Sequence, residues 1–162
     1  MATKLTINGT TYQFPDNGED PSWGTELTGW AQGVTEALNT LLGEGDILET
    51  AFTLSNNITT DTEVVGLFFN PSIVRAANID YTVYRVSDTN PSGFAEVGKM
   101  FLIYDDSAAA NQKWQLSQSS AGVSGVSFTV TDSGQIYFQS SDIGSAGYSG
   151  LMKFRAKALL KI

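Results

Sequence analysis

Apolar and polar residues alternate along much of the chain after residue 46, and this alternation predicts β-strands. It is clearest in residues 79–84, 126–131 and 152–161. Because successive side chains of a strand point to opposite faces of its sheet, each segment is expected to turn one face inward. The other face is then left for water or for a partner.

Two continuous apolar runs, Val64–Phe69 and Met100–Tyr104, interrupt the alternation. Runs of this kind are typical of central strands that are covered on both faces. Turn residues divide residues 46–162 into about eight strands, and Asp132–Gly134 has the composition of a three-residue hairpin loop. The fold class predicted from these patterns is mainly β, an antiparallel, jelly-roll-like β-sandwich.

The first 45 residues have a different pattern. Residues 3–14 contain two β-prone runs joined by Asn8-Gly9, the residue pair that a type I′ hairpin turn favours. An amphipathic helix should follow, ended by Gly43 and Gly45. Its apolar face repeats every three or four residues and consists of Leu27, Trp30, Ala31, Val34, Leu38, Leu41 and Leu42. We therefore predict an attachment and oligomerisation arm at 1–45 and a β-sandwich domain at 46–162.

An isolated hairpin is marginally stable in water, so the arm is expected to lie against another surface. The first third of the chain is acidic, whereas the last predicted strand is basic. One copy's acidic part could therefore meet another copy's basic strand, although two ordinary solvated faces would give the same pattern. The candidate assembly residues are Leu5, Ile7, Tyr12, Trp23, Leu27, Trp30, Val34, Leu38, Leu41, Lys153, Arg155 and Lys157.

The composition excludes several kinds of chemistry. The chain has 162 residues with no Cys and no His, so thiolate nucleophiles, disulfides, zinc fingers and imidazole bases are impossible. A net charge of −8 disfavours nucleic acid and anionic membranes as partners. Because no run of eighteen apolar residues and no signal-peptide pattern occur, a protein made in a cytoplasm is expected. We predict no enzymatic activity and no cofactor.

Three alternatives concern sites. Asp105 and Asp106 follow an apolar strand and could bind a divalent cation, but a solvated strand end is the simpler explanation and is preferred. Carboxylate pairs can hydrolyse glycosides, yet the sequence marks no particular pair. Exposed aromatic rings could stack on sugars in a lectin-like, receptor-binding module, or they could fill the core. The rings in question are Tyr104, Trp114, Tyr137 and Tyr148.

Both ends of the sequence resemble small structural proteins of tailed bacteriophages. At the start the likeness rests on residues 4–16, Trp23-Gly24, residues 29–39 and residues 45–48. At the end it rests on residues 126–141 and 150–159. The resemblance implies a virion protein made in the host cytoplasm: a short fibre, a tail or collar component, or a head-decoration protein. It also implies a homo-oligomer, commonly a trimer, that contacts other virion proteins, with a host-surface glycan as a further possible partner.

Overall fold

The computed structural model describes residues 3–7, 10–14, 27–35 and 43–162. The chain divides into two compact units, Met1–Glu44 and Gly45–Ile162. The role of the first unit as an attachment and oligomerisation arm remains a prediction.

The first unit contains a hairpin and a helix. Strands β1 (Thr3–Ile7) and β2 (Thr10–Phe14) pair antiparallel, with Leu5 opposite Tyr12. This pairing confirms the predicted ribbon, while its turn at residues 8 and 9 lies outside the described residues. Helix α1 covers residues 27–35, where Trp30 and Val34 are half-buried and Leu27 is exposed.

The second unit, called the β-domain below, contains eight strands in two antiparallel sheets. The order in the five-stranded sheet is β3-β10-β5-β6-β7, and in the three-stranded sheet it is β4-β9-β8. The strands are β3 (Ile47–Thr53), β4 (Ile58–Phe68), β5 (Val74–Val86), β6 (Phe94–Tyr104), β7 (Trp114–Gly122), β8 (Val126–Val130), β9 (Gln135–Ser140) and β10 (Ser149–Leu160). The predicted mainly β sandwich is thus confirmed.

The strand order explains the jelly-roll-like character. The first and last strands of the β-domain, β3 and β10, are neighbours, and so are β4 and β9 in the opposite sheet. Pairing early strands with late strands in both sheets is the wrapping typical of jelly rolls. Strands β5, β6 and β7 are consecutive in the chain and form a meander on the other side of β10 in the five-stranded sheet.

The core lies between the two sheets and follows the predicted alternation. On β10, Met152, Phe154 and Ala156 are buried, whereas the residues between them are exposed. Aromatic rings connect the sheets: Tyr81 of β5 meets Phe128 of β8 edge to face, with ring centroids 5.4 Å apart. Edge-to-face packing of this kind adds about 1 kcal/mol to the apolar burial.

The two continuous apolar runs are not covered on both faces, so that prediction is wrong. Strand β4 is an edge strand, and its Val65 and Phe68 are 65% and 48% exposed. Strand β6 lies inside its sheet, but Phe101 and Ile103 point away from the core and are 44% and 50% exposed. Within the β-domain, no further layer covers the outer side of either sheet.

A buried arginine closes one end of the sandwich. Arg85, at the end of β5, is 0% exposed. Its Nη2 donates to Asn56 Oδ1 (3.0 Å) and to the Ser141 carbonyl, while Nη1 donates to the Ser124 carbonyl (2.8 Å). These acceptors belong to the β3–β4, β9–β10 and β7–β8 connections, each of which crosses between the sheets. Arg85 therefore ties three crossings together, and Nε donates to the Tyr148 hydroxyl at 3.2 Å.

Replacing this side chain should destabilise the whole domain. We expect Arg85→Met to lower the free energy of unfolding by about 3 kcal/mol, because the buried Ser124 carbonyl and the part-buried oxygens of Asn56 and Ser141 lose a charged donor. Urea unfolding followed by circular dichroism measures the change. Arg75→Met, at an exposed position near the start of the same strand, is the matched control and should cost less than about 0.5 kcal/mol. Equal losses in the two variants would contradict the role given to Arg85.

Candidate interaction surface

The outer face of the five-stranded sheet is the best candidate for a functional surface. We define it by the side chains of β10, β5, β6 and β7 that point away from the core. The antiparallel register sets these side chains in rows across the strands, for example Leu151, Tyr84 and Ala95. A second row consists of Lys157, Asn78, Phe101 and Ser117.

Large apolar side chains are exposed on this outer face. Their exposed fractions range from 42% for Leu151 to 63% for Leu159. Scattered exposed apolar residues are normal, whereas a shared face of them marks an interaction site. The apolar members of the outer face are Tyr84, Val97, Phe101, Ile103, Leu151 and Leu159.

A row of ion pairs crosses the middle of the face. Arg155 Nε lies 3.2 Å from Asp80 Oδ2, and Lys99 Nζ lies 3.0 Å from Asp80 Oδ1. The hydrogen bond from Lys99 is the main cause that holds the pKa of Asp80 below its usual value; burial opposes it and the bond from Arg155 adds to it. Exposed pairs of this kind contribute little to stability, so their main effect here is to fix the side chains.

The other two basic residues of β10 also have carboxylate partners. Lys153 Nζ lies 3.5 Å from Glu49 Oε1, and Lys157 Nζ lies 2.6 Å from Asp46 Oδ2. The carboxylate of Asp46 also accepts the backbone N–H of Ala158 at 2.7 Å. The basic strand is thus ion-paired within the β-domain, and contact with another copy's acidic part remains a prediction.

The structure brings together only some of the predicted assembly residues. Lys153, Arg155 and Lys157 share the outer face. Leu5 and Ile7 lie on β1, Tyr12 lies on β2, and Leu27, Trp30 and Val34 lie on α1. Trp23, Leu38 and Leu41 lie outside the described residues.

Sequence reasoning missed the apolar part of the outer face. Phe101 and Ile103 belong to a continuous apolar run, which was interpreted as two-sided burial within one chain. The run itself was the available signal, because a strand in a two-layer sandwich has only one covered side.

The two aspartates considered for a metal have protein partners. Asp106 Oδ2 lies 2.9 Å from Lys161 Nζ, and Asp105 Oδ1 accepts the N–H and hydroxyl of Ser107 at 2.9 and 2.7 Å. Within the described ranges no three acidic side chains converge to hold an ion. The arrangement fits the end of a solvated strand.

Two of the aromatic rings considered for sugar stacking belong to the core. Tyr104 and Trp114 are buried, with ring centroids 5.0 Å apart. Tyr148 is half-buried, and its hydroxyl donates to the Leu54 carbonyl at 3.0 Å. For Tyr104 and Trp114 the alternative in which the rings fill the core is thus confirmed, and glycan recognition by another surface remains a prediction.

Glu96 is a buried carboxylate below the outer face, on the inner side of β6. Its Oε1 accepts hydrogen bonds from the Tyr81 hydroxyl (2.5 Å) and Gln118 Nε2 (3.0 Å). Its Oε2 accepts both the N–H (3.1 Å) and the hydroxyl (2.6 Å) of Ser124. Burial raises the pKa of Glu96, but the hydrogen bonds from Ser124, Tyr81 and Ser120 outweigh it and hold the pKa below the usual value.

Tyr81 is the neutral partner of this carboxylate. Burial and the neighbouring Glu96 raise the pKa of Tyr81 to about 12. The phenol therefore keeps its proton at neutral pH and donates a hydrogen bond to Glu96 Oε1. The carboxylate of Glu96 and the phenol of Tyr81 both have hydrogen-bond partners within the protein. We therefore interpret this cluster as structural.

None of the described helical residues forms a helix long and apolar enough to cross a membrane.

Comparison with known proteins gives little similarity. No family model matches the sequence, and no curated protein matches it. Among solved structures, the crystal structure of the Acinetobacter phage vB_ApiP_P1 tailspike protein is similar, with 12% sequence identity and a TM-score of 0.43. The match covers 69% of this chain, which spans 22% of the length of that tailspike protein. A score this low does not show a common fold.

The Glu96 cluster generates a prediction about pH. Because the folded-state pKa lies below the usual 4.5, Glu96 stabilises the fold above pH 4.5, and this stabilisation is lost as the pH falls through the folded value. We expect Glu96→Gln to cost about 1 kcal/mol at pH 7. The difference from the unmodified protein should shrink between about pH 5 and pH 3.

Urea unfolding at several pH values checks this expectation. Glu63→Gln, at an exposed position on β4, serves as the control and should change the pH profile less. A Glu96→Gln deficit that stayed constant from pH 7 to pH 3 would show that the charge of Glu96 does not stabilise the fold.

Proposed function

We propose that this chain is a non-enzymatic structural component of a tailed-phage particle, whose β-domain associates with further copies through its outer face. The observation that carries the proposal is the open apolar surface formed by Tyr84, Val97, Phe101, Ile103 and Leu151. A protein that remained monomeric would leave these side chains in water, whereas a second copy would bury them.

The particle assignment rests on the resemblance of the two ends of the sequence to small phage structural proteins. A homo-oligomer, with the trimer that this resemblance implies, suits a protein present in many copies. Its other partners would be virion proteins, contacted through the arm. The absence of His and Cys and the satisfied Glu96 cluster are consistent with a role that involves no catalysis.

Phe101→Lys tests the self-association surface. Phe101 is half-exposed, so the substitution should change the stability of the fold by less than about 0.5 kcal/mol. It should nevertheless weaken self-association at least tenfold, because a charge would be buried between the copies. Light scattering over a concentration series measures the average mass.

Val65→Lys is the matched control for this variant. Val65 is 65% exposed on an outward side of the three-stranded sheet, so its replacement should leave the association constant unchanged. If Phe101→Lys and the unmodified protein had the same concentration-dependent mass, the outer face would not be the interface.

Deletion of residues 1–44 tests the attachment role of the arm. The β-domain without the arm should still self-associate, because the proposed interface lies within residues 45–162. Incorporation into particles should be lost, as measured by mass spectrometry of purified phage that carries the shortened gene. Normal incorporation without residues 1–44 would assign attachment to the β-domain instead.

A further inference from the structure

Strand β7 is an edge of the five-stranded sheet, and half of its backbone groups point outward. Its pairing with β6 is unbroken, from Tyr104 opposite Trp114 to Glu96 opposite Gly122. The Asp105 N–H donates to the Lys113 carbonyl at 2.8 Å, and the Val123 N–H donates to the Ala95 carbonyl at 3.0 Å. Since bonded pairs alternate in an antiparallel ladder, the odd-numbered residues of β7 bind β6.

The even-numbered residues therefore direct their N–H and C=O groups to the free edge. These residues are Leu116, Gln118 and Ser120 in the middle of the strand. Gln118 and Ser120 are exposed and Leu116 is half-buried. Because β7 is the last strand of its sheet, this row of backbone groups is open to another chain. A row of this kind is a template for an added strand.

Proteins usually protect such edges with charges or by keeping the edge strand short. Among the four edge strands of the β-domain, β3 contains Glu49, and β4 contains Asp61 and Glu63. Strand β8 has no charge but is only 5 residues long. Strand β7 has 9 residues and carries neither a charge nor a proline. Strand β7 is therefore the edge strand of the β-domain that is protected neither by a charge nor by short length.

We propose that β7 pairs antiparallel with β7 of a second copy, so that two five-stranded sheets continue into one. Pairing of β7 with the edge strand β3 or β4 of a second copy is less favourable. It would place carboxylates next to β7, which has no cationic side chain to pair with them. Two β7 strands bring no charge, and Ser117, Ser119, Ser120 and Ala121 are small enough to lie opposite one another across a twofold axis. This contact rests on the proposed self-association but uses a different surface. Because it is twofold, it would join copies that belong to two different trimers.

Residue-resolved amide hydrogen exchange tests the pairing directly. The full chain is measured by NMR at a low and a high protein concentration. The amides of Ser117, Ser119 and Ala121 should be protected at both, because they bind β6. The amides of Leu116, Gln118 and Ser120 should exchange at least tenfold more slowly at the high protein concentration than at the low one.

A charged edge provides the second measurement. In the double variant Ser117→Lys/Ser119→Lys, four lysines would face each other across the paired strands, which disfavours pairing. We expect the concentration-dependent protection of the even-numbered amides to disappear. Ser127→Lys/Thr129→Lys is the matched control, because it places the same charges at exposed positions of the β8 edge, and it should leave the protection intact.

The outcomes separate this contact from the proposed interface on the outer face. Protection of the even-numbered amides that survives Phe101→Lys and is lost in the β7 double variant supports the strand pairing. Self-association with no change in those amides at high concentration would overturn it, while leaving the outer face as the interface. A monomer at all concentrations would overturn both proposals.

Discussion

The closed end of the β-domain depends on one buried cation. The Arg85 guanidinium binds oxygens of three connections that cross between the sheets. The Ser124 carbonyl is the buried one, and without a donor it would cost stability. Ser124 links it to the nearest buried carboxylate, since its carbonyl accepts from Arg85 while its N–H and hydroxyl donate to Glu96. The two buried charged groups are thus connected through one residue without direct contact. The two sheets pack through apolar side chains, whereas the connections at this end are held by hydrogen bonds from Arg85.

Much of the fold follows from local sequence patterns. The alternation in β10 separates Met152 and Phe154 from Lys153 and Arg155, and the structure places the two sets on opposite faces. The loop after β8 ends at Gly134, whose φ of 91° is the left-handed conformation that favours glycine. Such features are predictable because each depends on a few consecutive residues and on the period of the strand.

The Arg85 and Glu96 contacts were not predicted, because their partners lie on loops and strands far apart in the chain. A weaker signal was present in the alternation itself. Arg85 continues the inward series of Ile79, Tyr81 and Val83, and Glu96 shares the inward side of β6 with Met100. A charge at an inward position requires buried partners, so the alternation indicates that a polar cluster exists. Only the folded structure shows which loops and strands contain the hydrogen-bond partners.

The two surfaces proposed for assembly are adjacent, and this adjacency has a physical consequence. In the register of the sheet, Val97 lies opposite Ala121 and Phe101 lies opposite Ser117, so only small side chains of β7 separate the apolar side of β6 from the free edge. A copy added at β7 would continue the sheet and present its own β6 on the same face, with the two β7 strands between the two β6 strands. The apolar area available to a covering partner would then double without any change in the fold of either copy. Pairing at the edge would therefore strengthen binding at the face, because the larger apolar area would be removed from water in one step.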